Sequence, residues 1–329
     1  MRKDPLVSVV MPAYNAECFL TQAIQSILAQ TFTDFDFIIV DDGSTDKTAD
    51  IVRSFTDERI VFEQLKSNQG VIKAFEHGIH KASGKWIARM DADDISFPDR
   101  LSVQMDFLNS HPDCVMVGSL FHFISPAGKI IPRIREMEIA CHELTKGDLT
   151  SSNRHFADAS VVFLRQAALD VELFDEDFNI EIPLWYKLIN TGKAFELYQY
   201  LYLYRIVLSS ITNRRQEESC RLMEKQIALR YDPANAPKHK SWSSSTWPTE
   251  MEIRVSSIIR AMRMCLVTGD RKTAWKIFKE ILPEFGLDPI LLFILLKGFF
   301  GVNSLIPLII QHPNLEEFEL DWYQQKYAP

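Results

Sequence analysis

Strand signals and helix signals alternate along the first 120 or so residues of this 329-residue chain, and each strand signal ends in polar residues. Residues 7–11 form a continuous apolar run of strand length that Pro12 is expected to end. Phe19, Leu20, Ala23, Ile24, Ile27 and Leu28 then recur at helical spacing. A second strand over residues 35–40 stops at Asp41-Asp42-Gly43-Ser44-Thr45-Asp46, where Ser44 or Thr45 is suited to cap a helix with Ile51, Val52 and Phe55 on its inner face. A third strand over 60–62 leads to Asn68-Gln69-Gly70 and a helix running toward Ala82, which Ser83-Gly84 stops. A fourth strand over 86–90, a helix from about 99 to 109 and a strand over 114–117 complete the pattern. Such alternation produces a parallel sheet with right-handed crossovers. In sheets of that kind ligands sit beyond the carboxyl ends of the strands. Tyr14-Asn15, Asp41-Asp42 and Asp91-Ala92-Asp93 all fall at such ends, so three separate segments converge on one rim.

The fourth strand runs into Met90-Asp91-Ala92-Asp93-Asp94, which places three carboxylates in four residues. Carboxylates are costly to crowd unless positive charge lies between them. If the segment stays extended, Asp91 and Asp93 point the same way toward one ligand while Asp94 faces elsewhere. Hard oxygen donors of this kind suit Mg2+ or Mn2+ bridging to phosphate oxygens. An acidic turn capping the next helix is the plainer alternative for this stretch alone. Lys73, Lys81 and Arg89 are candidate charge partners, although such residues are more often simply solvated.

Composition excludes several classes. A hydrophobic content of 47% with 24% charged residues describes a globular chain, and a net charge of −8 gives no general attraction for nucleic acid. Five scattered cysteines, with no Cys-x-x-Cys, fit reduced thiols and offer neither a disulfide framework nor a zinc site. Asp4, Pro5 and Pro12 break any signal-peptide core, and the expected location is the cytoplasm. Residues 289–310 are mostly apolar, but Lys297 lies near their middle, and a bilayer-spanning helix is not expected.

Beyond residue 120 the pattern weakens. A variable, partly helical connection is expected over 129–150, broken helices over 170–191 and an aromatic strand over 195–205. Residues 233–249 read as a linker, which divides the chain into a domain over 1–232 and a helical region over 250–329. In that region seven Lys and Arg residues between Ile253 and Lys279 face only Asp270. Either this is the solvated face of a bundle, or the stretch 253–310 makes a peripheral contact with anionic lipid.

The ordered segments Val9-Val10-Met11-Pro12-Ala13-Tyr14-Asn15, Val40-Asp41-Asp42-Gly43-Ser44-Thr45-Asp46, Asn68-Gln69-Gly70 and Ala88-Arg89-Met90-Asp91-Ala92-Asp93-Asp94 resemble a family 2 inverting glycosyltransferase with the GT-A nucleotide-sugar fold. That resemblance implies a Rossmann-like, mostly parallel α/β sheet flanked by helices, with a smaller helical C-terminal region. It implies that Pro12, Ala13, Tyr14, Asn15, Asp41, Asp42, Asn68, Gly70, Asp91 and Ala92 meet a nucleotide-diphosphate sugar, a UDP-sugar by preference. Asp93 binds the metal, Mg2+ or Mn2+. The acceptor is a hydroxyl of a glycan or a lipid-linked oligosaccharide in surface polysaccharide biosynthesis. The family's Leu-Trp anchor matches Leu184-Trp185, which assigns the acceptor base to Glu181, with Asp175 and Asp177 as fallbacks. Two positions depart from the family pattern: Ile180 stands where the base usually has an acidic neighbour, and Val207 stands at a usual histidine. These departures keep open a catalytically silent homologue that binds nucleotide sugar or scaffolds an assembly complex. Tyr204-Arg205 resembles a family pair, which makes Arg205 a candidate partner for phosphate, with an ordinary edge-strand face of Tyr202, Tyr204 and Arg205 as the alternative. No Gln-x-x-Arg-Trp is present, which favours one sugar per encounter over processive synthesis. A nucleotidyltransferase would need a glycine-rich basic loop after the first strand, and Tyr14-Asn15-Ala16-Glu17 supplies none. No Gly-x-Gly-x-x-Gly follows a strand, against a dinucleotide oxidoreductase.

Overall fold

The computed structural model describes residues 5–125, 128, 130–131, 140–149, 157–175, 181–205 and 230–231. The sequence expectations at Asp177, Ile180 and Val207, the linker over 233–249 and the region over 250–329 lie outside the described residues. In chain order the elements are β1 (Val7–Ala13), α1 (Leu20–Leu28), β2 (Phe35–Asp41), α2 (Thr48–Ser54), β3 (Ile60–Gln64), α3 (Val71–Lys81), β4 (Trp86–Arg89), β5 (Ile95–Ser96), α4 (Arg100–Ser110) and β6 (Cys114–Ile124). They continue with β7 (Ile130–Ile131), β8 (Cys141–Glu143), β9 (Val162–Leu164), α5 (Arg165–Asp170), α6 (Ile182–Ile189) and β10 (Lys193–Arg205). Two short 3-10 turns, Lys146–Leu149 and Asp158–Ser160, join the later strands.

One sheet carries all of these strands, in the order β3-β2-β1-β4-β9-β6-β10-β5, with β7 on β6 and β8 on β10. The ladders β1–β2, β2–β3, β1–β4 and β6–β10 are parallel, as the alternation predicts. A short strand breaks the pattern: β9 runs antiparallel between β4 and β6. Pro12 does not end β1, which continues to Ala13 in register with Asp41. The ladder to β4 stops at Val10–Arg89, and by alternation Pro12 turns its nitrogen toward that side, beyond β4's last pair. No N–H is needed there, so the ring is tolerated.

Both faces of the central strands are buried, which is why they read as unbroken apolar runs. Val9, Met11, Phe37 and Ile39 pack with Leu20, Ala23, Ile24 and Ile27 of α1 on one face. Val10, Ile38 and Val40 pack with Ala74, Phe75 and Ile79 of α3 on the other. Each such fully buried aliphatic or aromatic side chain contributes about 1.5–3 kcal/mol. That layering holds the strand ends, and hence the rim, in one place.

At the opposite end of β2 from the rim, Asp36 is 3% exposed and its Oδ1 has no hydrogen-bond partner. Burial pushes its carboxyl above the usual 3.8, although Ser8 and Ser83 partly offset this. A raised pKa means the folded state holds this proton more tightly than the unfolded chain does. Asp36 therefore contributes most below the unfolded value, and that contribution is lost as pH rises through the folded value. Asp36→Asn is expected to raise the melting temperature at pH 7 by about 2–4 °C, the shift for about 1 kcal/mol, with no gain near pH 3. Calorimetry at the two pH values checks this, and an equal shift at both would exclude titration as the cause.

Candidate active site

Two loops that follow β1 and β2 are locked to each other by hydrogen bonds. The Asn15 N–H donates to Ser44 Oγ at 2.9 Å, and Asn15 Oδ1 accepts from the Thr45 N–H at 2.9 Å. Ala16 N–H donates to Thr48 Oγ1 at 2.8 Å, while Glu17 N–H donates to Asp46 Oδ2 at 3.1 Å. Ser44 and Thr45 therefore do not cap α2. Asp46 Oδ1 instead takes the Thr48 N–H at 2.9 Å. Asn15 sits in the left-handed region with φ 48°, a conformation asparagine tolerates better than most residues. Its neighbour Tyr14 is 45% exposed and presents an aromatic face at the rim.

Asp41 and Asp42 are both buried. Asp41 Oδ1 accepts the Ser44 N–H at 3.0 Å and Oδ2 accepts from Gln64 Nε2 at 3.0 Å. Asp42 accepts the N–H groups of Gln69 and Gly70, each at 2.8 Å, and burial raises its pKa. The pair thus folds the rim loops onto one another, a role that sequence alone leaves hidden behind ligand binding. Carboxylate oxygens keep lone pairs beyond these bonds, so a further acceptor role is compatible with them. Gly43 has φ 68°, and a Cβ there would meet the backbone of Ser67 at 2.6 Å. Gly70 has φ 97° at the entrance to α3, and Asn68, exposed beside it, accepts its N–H at 3.0 Å. Pro12 and Ala13 are buried under these loops, and Ala13 O accepts the Asp42 N–H at 2.8 Å.

The acidic stretch is a tight turn rather than an extended segment, with Ala92 and Asp93 at its corner. Carboxylate oxygens of Asp91, Asp93 and Asp94 lie within 4.8 Å of one another. Asp94 turns inward, and its Oδ1 accepts the Arg205 N–H at 2.7 Å. Burial and the adjacent Asp91 charge push Asp93 up to about 7. Burial, with the charges of Asp93 and Asp91 behind it, raises Asp94 as well. Crowded oxygen donors fit a hard divalent cation, and the outward pair Asp91 and Asp93 is placed to hold one.

Three buried arginines lie against this turn. Arg89 is not solvated: its Nη2 lies 3.0 Å from Asp91 Oδ1 and 2.6 Å from Glu181 Oε1. Arg100 Nη2 donates to Arg89 O at 2.7 Å, and burial lowers its pKa to about 10. Arg205 differs from the expectation of a phosphate partner. It is 1% exposed, and its guanidinium donates to Asp93 O at 2.6 Å, Ser125 O at 3.2 Å and Gln22 Oε1 at 2.8 Å. Its plane also covers the Phe19 ring at 4.5 Å. Among the described residues these contacts commit the Arg205 guanidinium to holding the turn.

Glu181 precedes α6 and is 7% exposed. Burial raises its pKa against the opposing pull of Arg89. Asp175, the fallback, pairs instead with Lys187 Nζ at 2.7 Å. The anchor Trp185 donates Nε1 to Asp158 Oδ1 at 2.8 Å, which brings a third carboxylate near Arg89. Sequence reasoning missed Asp158, which belongs to no motif, and Tyr202, whose hydroxyl accepts the Asp91 N–H at 3.2 Å. Arg89 carried a usable signal: a charge inside Trp86-Ile87-Ala88-Arg89-Met90 has to be paired once the strand is buried. No helix among the described residues is long and apolar enough to cross a membrane.

Residues 8–172, half of the chain, match the model of "Glycosyl transferase family 2". TuaG of Bacillus subtilis (strain 168), provisionally named a teichuronic acid biosynthesis glycosyltransferase, is 28% identical over 214 residues, which span 64% of this chain and 83% of that protein. Curated relatives at 41% and 39% identity align over only 106 and 122 residues, so the chain spans less than half of their own length, 42% and 44%. Among solved structures, S. aureus TarS 1-349 in complex with UDP-GlcNAc has a TM-score of 0.56 at 16% identity, covering 95% of this chain and 99% of its own. Mannosyltransferase PcManGT from Pyrobaculum calidifontis, in complex with GDP-Man and Mn2+, has a TM-score of 0.54 at 15% identity, covering 93% of this chain and 81% of its own. At that identity the likeness is one of fold, and the fold is of the GT-A transferase type.

Proposed function

This chain belongs to glycosyl transferase family 2, and we propose from that premise that it is a metal-dependent inverting glycosyltransferase. It moves one sugar from a nucleotide-diphosphate sugar, a UDP-sugar by preference, to a hydroxyl of a glycan or lipid-linked acceptor in surface polysaccharide biosynthesis. The observation that carries this reading is the convergence at one rim of an acidic turn (Asp91, Asp93), an exposed aromatic (Tyr14) and a carboxylate pair (Asp41, Asp42). The teichuronic acid name of TuaG supports the polysaccharide context. The UDP-GlcNAc and GDP-Man complexes of two structures sharing the fold support the donor class, and the Mn2+ in one of them supports the metal.

In this scheme Asp93, with Asp91, would hold Mg2+ or Mn2+. Such an ion would supply charge neutralisation for the leaving diphosphate. Tyr14 lies against the base, Asn15 and the Asp41–Asp42 loops shape the nucleoside side, and Gly70 and Asn68 border it. The acceptor oxygen attacks the anomeric carbon while the bond from that carbon to the diphosphate oxygen breaks. Its proton passes to Glu181, and the nucleoside diphosphate departs. A single displacement of this kind inverts the anomeric centre.

Glu181 lies 2.6 Å from a buried guanidinium, which favours one second reading, a silent nucleotide-sugar binder. One experiment separates the two: incubation with UDP-, GDP- and dTDP-sugars plus Mn2+ or Mg2+, with and without lipid-linked acceptors, scored by released nucleotide. Release from one donor, abolished by chelator and absent in Asp93→Asn, is the expected result. Binding of a donor without release under every acceptor condition would establish the silent binder instead.

A further inference from the structure

We infer that Arg89 is a positioning residue that couples the donor side of the site to the acceptor base, because a single nitrogen of its guanidinium holds both Asp91 and Glu181. This rests on the transferase reading above and goes beyond it. Arg89 Nη2 is 3.0 Å from Asp91 Oδ1 and 2.6 Å from Glu181 Oε1, and the side chain is 5% exposed. Its guanidinium lies over the Phe75 ring at 5.3 Å, and its Nε is buried with no hydrogen-bond partner. Both contacts are ion pairs by distance: Glu181 Oε1, like Arg89 Nε, is buried without a hydrogen-bond partner, so charge rather than a directed bond sets how the guanidinium divides itself between the two anions. The backbone of Glu181 is fixed by the start of α6, where its carbonyl accepts the Leu184 N–H at 2.9 Å. Its carboxylate has no such tether: besides its own backbone N–H, the partner that locates it among the described residues is Arg89.

A shared partner makes two sites interdependent. When donor and cation draw Asp91 away from Arg89, the guanidinium settles on Glu181 and seats it for the acceptor. In the other direction, loss of the Glu181 charge lets Arg89 settle on Asp91 and compete there with the donor. Thermodynamic reciprocity requires these two effects to be equal in size. Asp158 stands behind Arg89 as a further anion, fixed by Trp185 Nε1 at 2.8 Å, and it limits how far the guanidinium can retreat.

The test is a double-mutant cycle on binding, read by titration calorimetry of UDP in the presence of Mn2+. Glu181→Gln is expected to weaken UDP binding by about 3–10-fold in the protein with Arg89, and to have no effect in an Arg89→Met background. Turnover supplies a second readout: Arg89→Met lowers kcat by about 100-fold, and Arg89→Lys, which keeps a point charge at the same place, recovers at least a tenth of the original rate. If Glu181→Gln changes UDP binding equally in both backgrounds, or in neither, the coupling is wrong. The same holds if a folded Arg89→Met turns over within about threefold of the unaltered protein. If the unaltered protein binds no UDP, GDP or dTDP with Mn2+, the donor reading falls and the coupling falls with it, a different signature from binding that merely ignores Arg89.

Discussion

Glu181→Gln is expected to lower kcat by about 10²–10⁴-fold, the usual contribution of a positioned general base. The amide keeps the shape of the side chain but cannot take the acceptor's proton. Folding survives the change, because burial already raises the carboxyl's pKa and a neutral group costs less to bury than a charged one. Donor KM shifts by no more than about tenfold, in line with an effect passed through Arg89 rather than a lost ligand contact. Glu181 also has a pH signature. Its proton must be gone before it can act, and burial sets that event above the ordinary 4.5, so kcat/KM falls on the acid side of a pKa higher than that of a solvated glutamate. In Glu181→Gln that limb disappears. An unchanged kcat, or a KM that rises while kcat holds, would remove Glu181 from the chemistry.

Arg205→Met is expected to be the most destabilising of the changes considered, at about 3–5 kcal/mol, the cost of removing one partner from a buried polar network. Methionine fills much of the volume but offers no donor. It strands the carbonyl oxygens of Asp93 and Ser125 and the amide oxygen of Gln22, and it deletes the cation against Asp93 and Asp94. With less opposing charge Asp93 protonates more readily, so cation affinity falls together with stability. Urea unfolding followed by far-UV circular dichroism measures the first effect, and Mn2+ titration of the folded fraction measures the second. A loss below about 1 kcal/mol would mean that Arg205 is exposed to water and free to serve a phosphate after all.

The alternation of strands and helices was legible because each central strand is buried on both faces and each helix on one. Hydrophobic run length and spacing therefore report directly on the sheet and its cover. Three things were hidden. The strand β9 spans only Val162–Leu164 inside a longer apolar stretch, where neither period 2 nor period 3.6 has room to declare itself. The strand β6 continues past Val117 to Ile124 through Gly118 and Ser119, residues that sequence patterning takes as a stop. The buried arginines were hardest, since residue type argues for solvent and only tertiary partners overrule it. Within the candidate site the acidic turn and the rim loops stood out by composition and position. What Asp41, Asp42 and Arg205 do inside the scaffold did not, because a carboxylate that accepts backbone N–H groups has the same sequence signature as one that awaits a ligand.

The reversed direction of β9 gives this sheet a port. Every parallel strand delivers its outgoing loop to the rim, but β9 delivers its incoming one: the Arg89 N–H bonds Val161 O at 2.9 Å, and Ala88 pairs with Val162. The turn Asp158–Ser160 therefore opens beside Arg89 and Glu181. The pairs Trp86–Leu164 and Met116–Phe163 fix the register of β9 downstream of that turn. A change made within that turn therefore acts beside Arg89 and Glu181 while the loops after β1 and β2 and the acidic turn stay as they are.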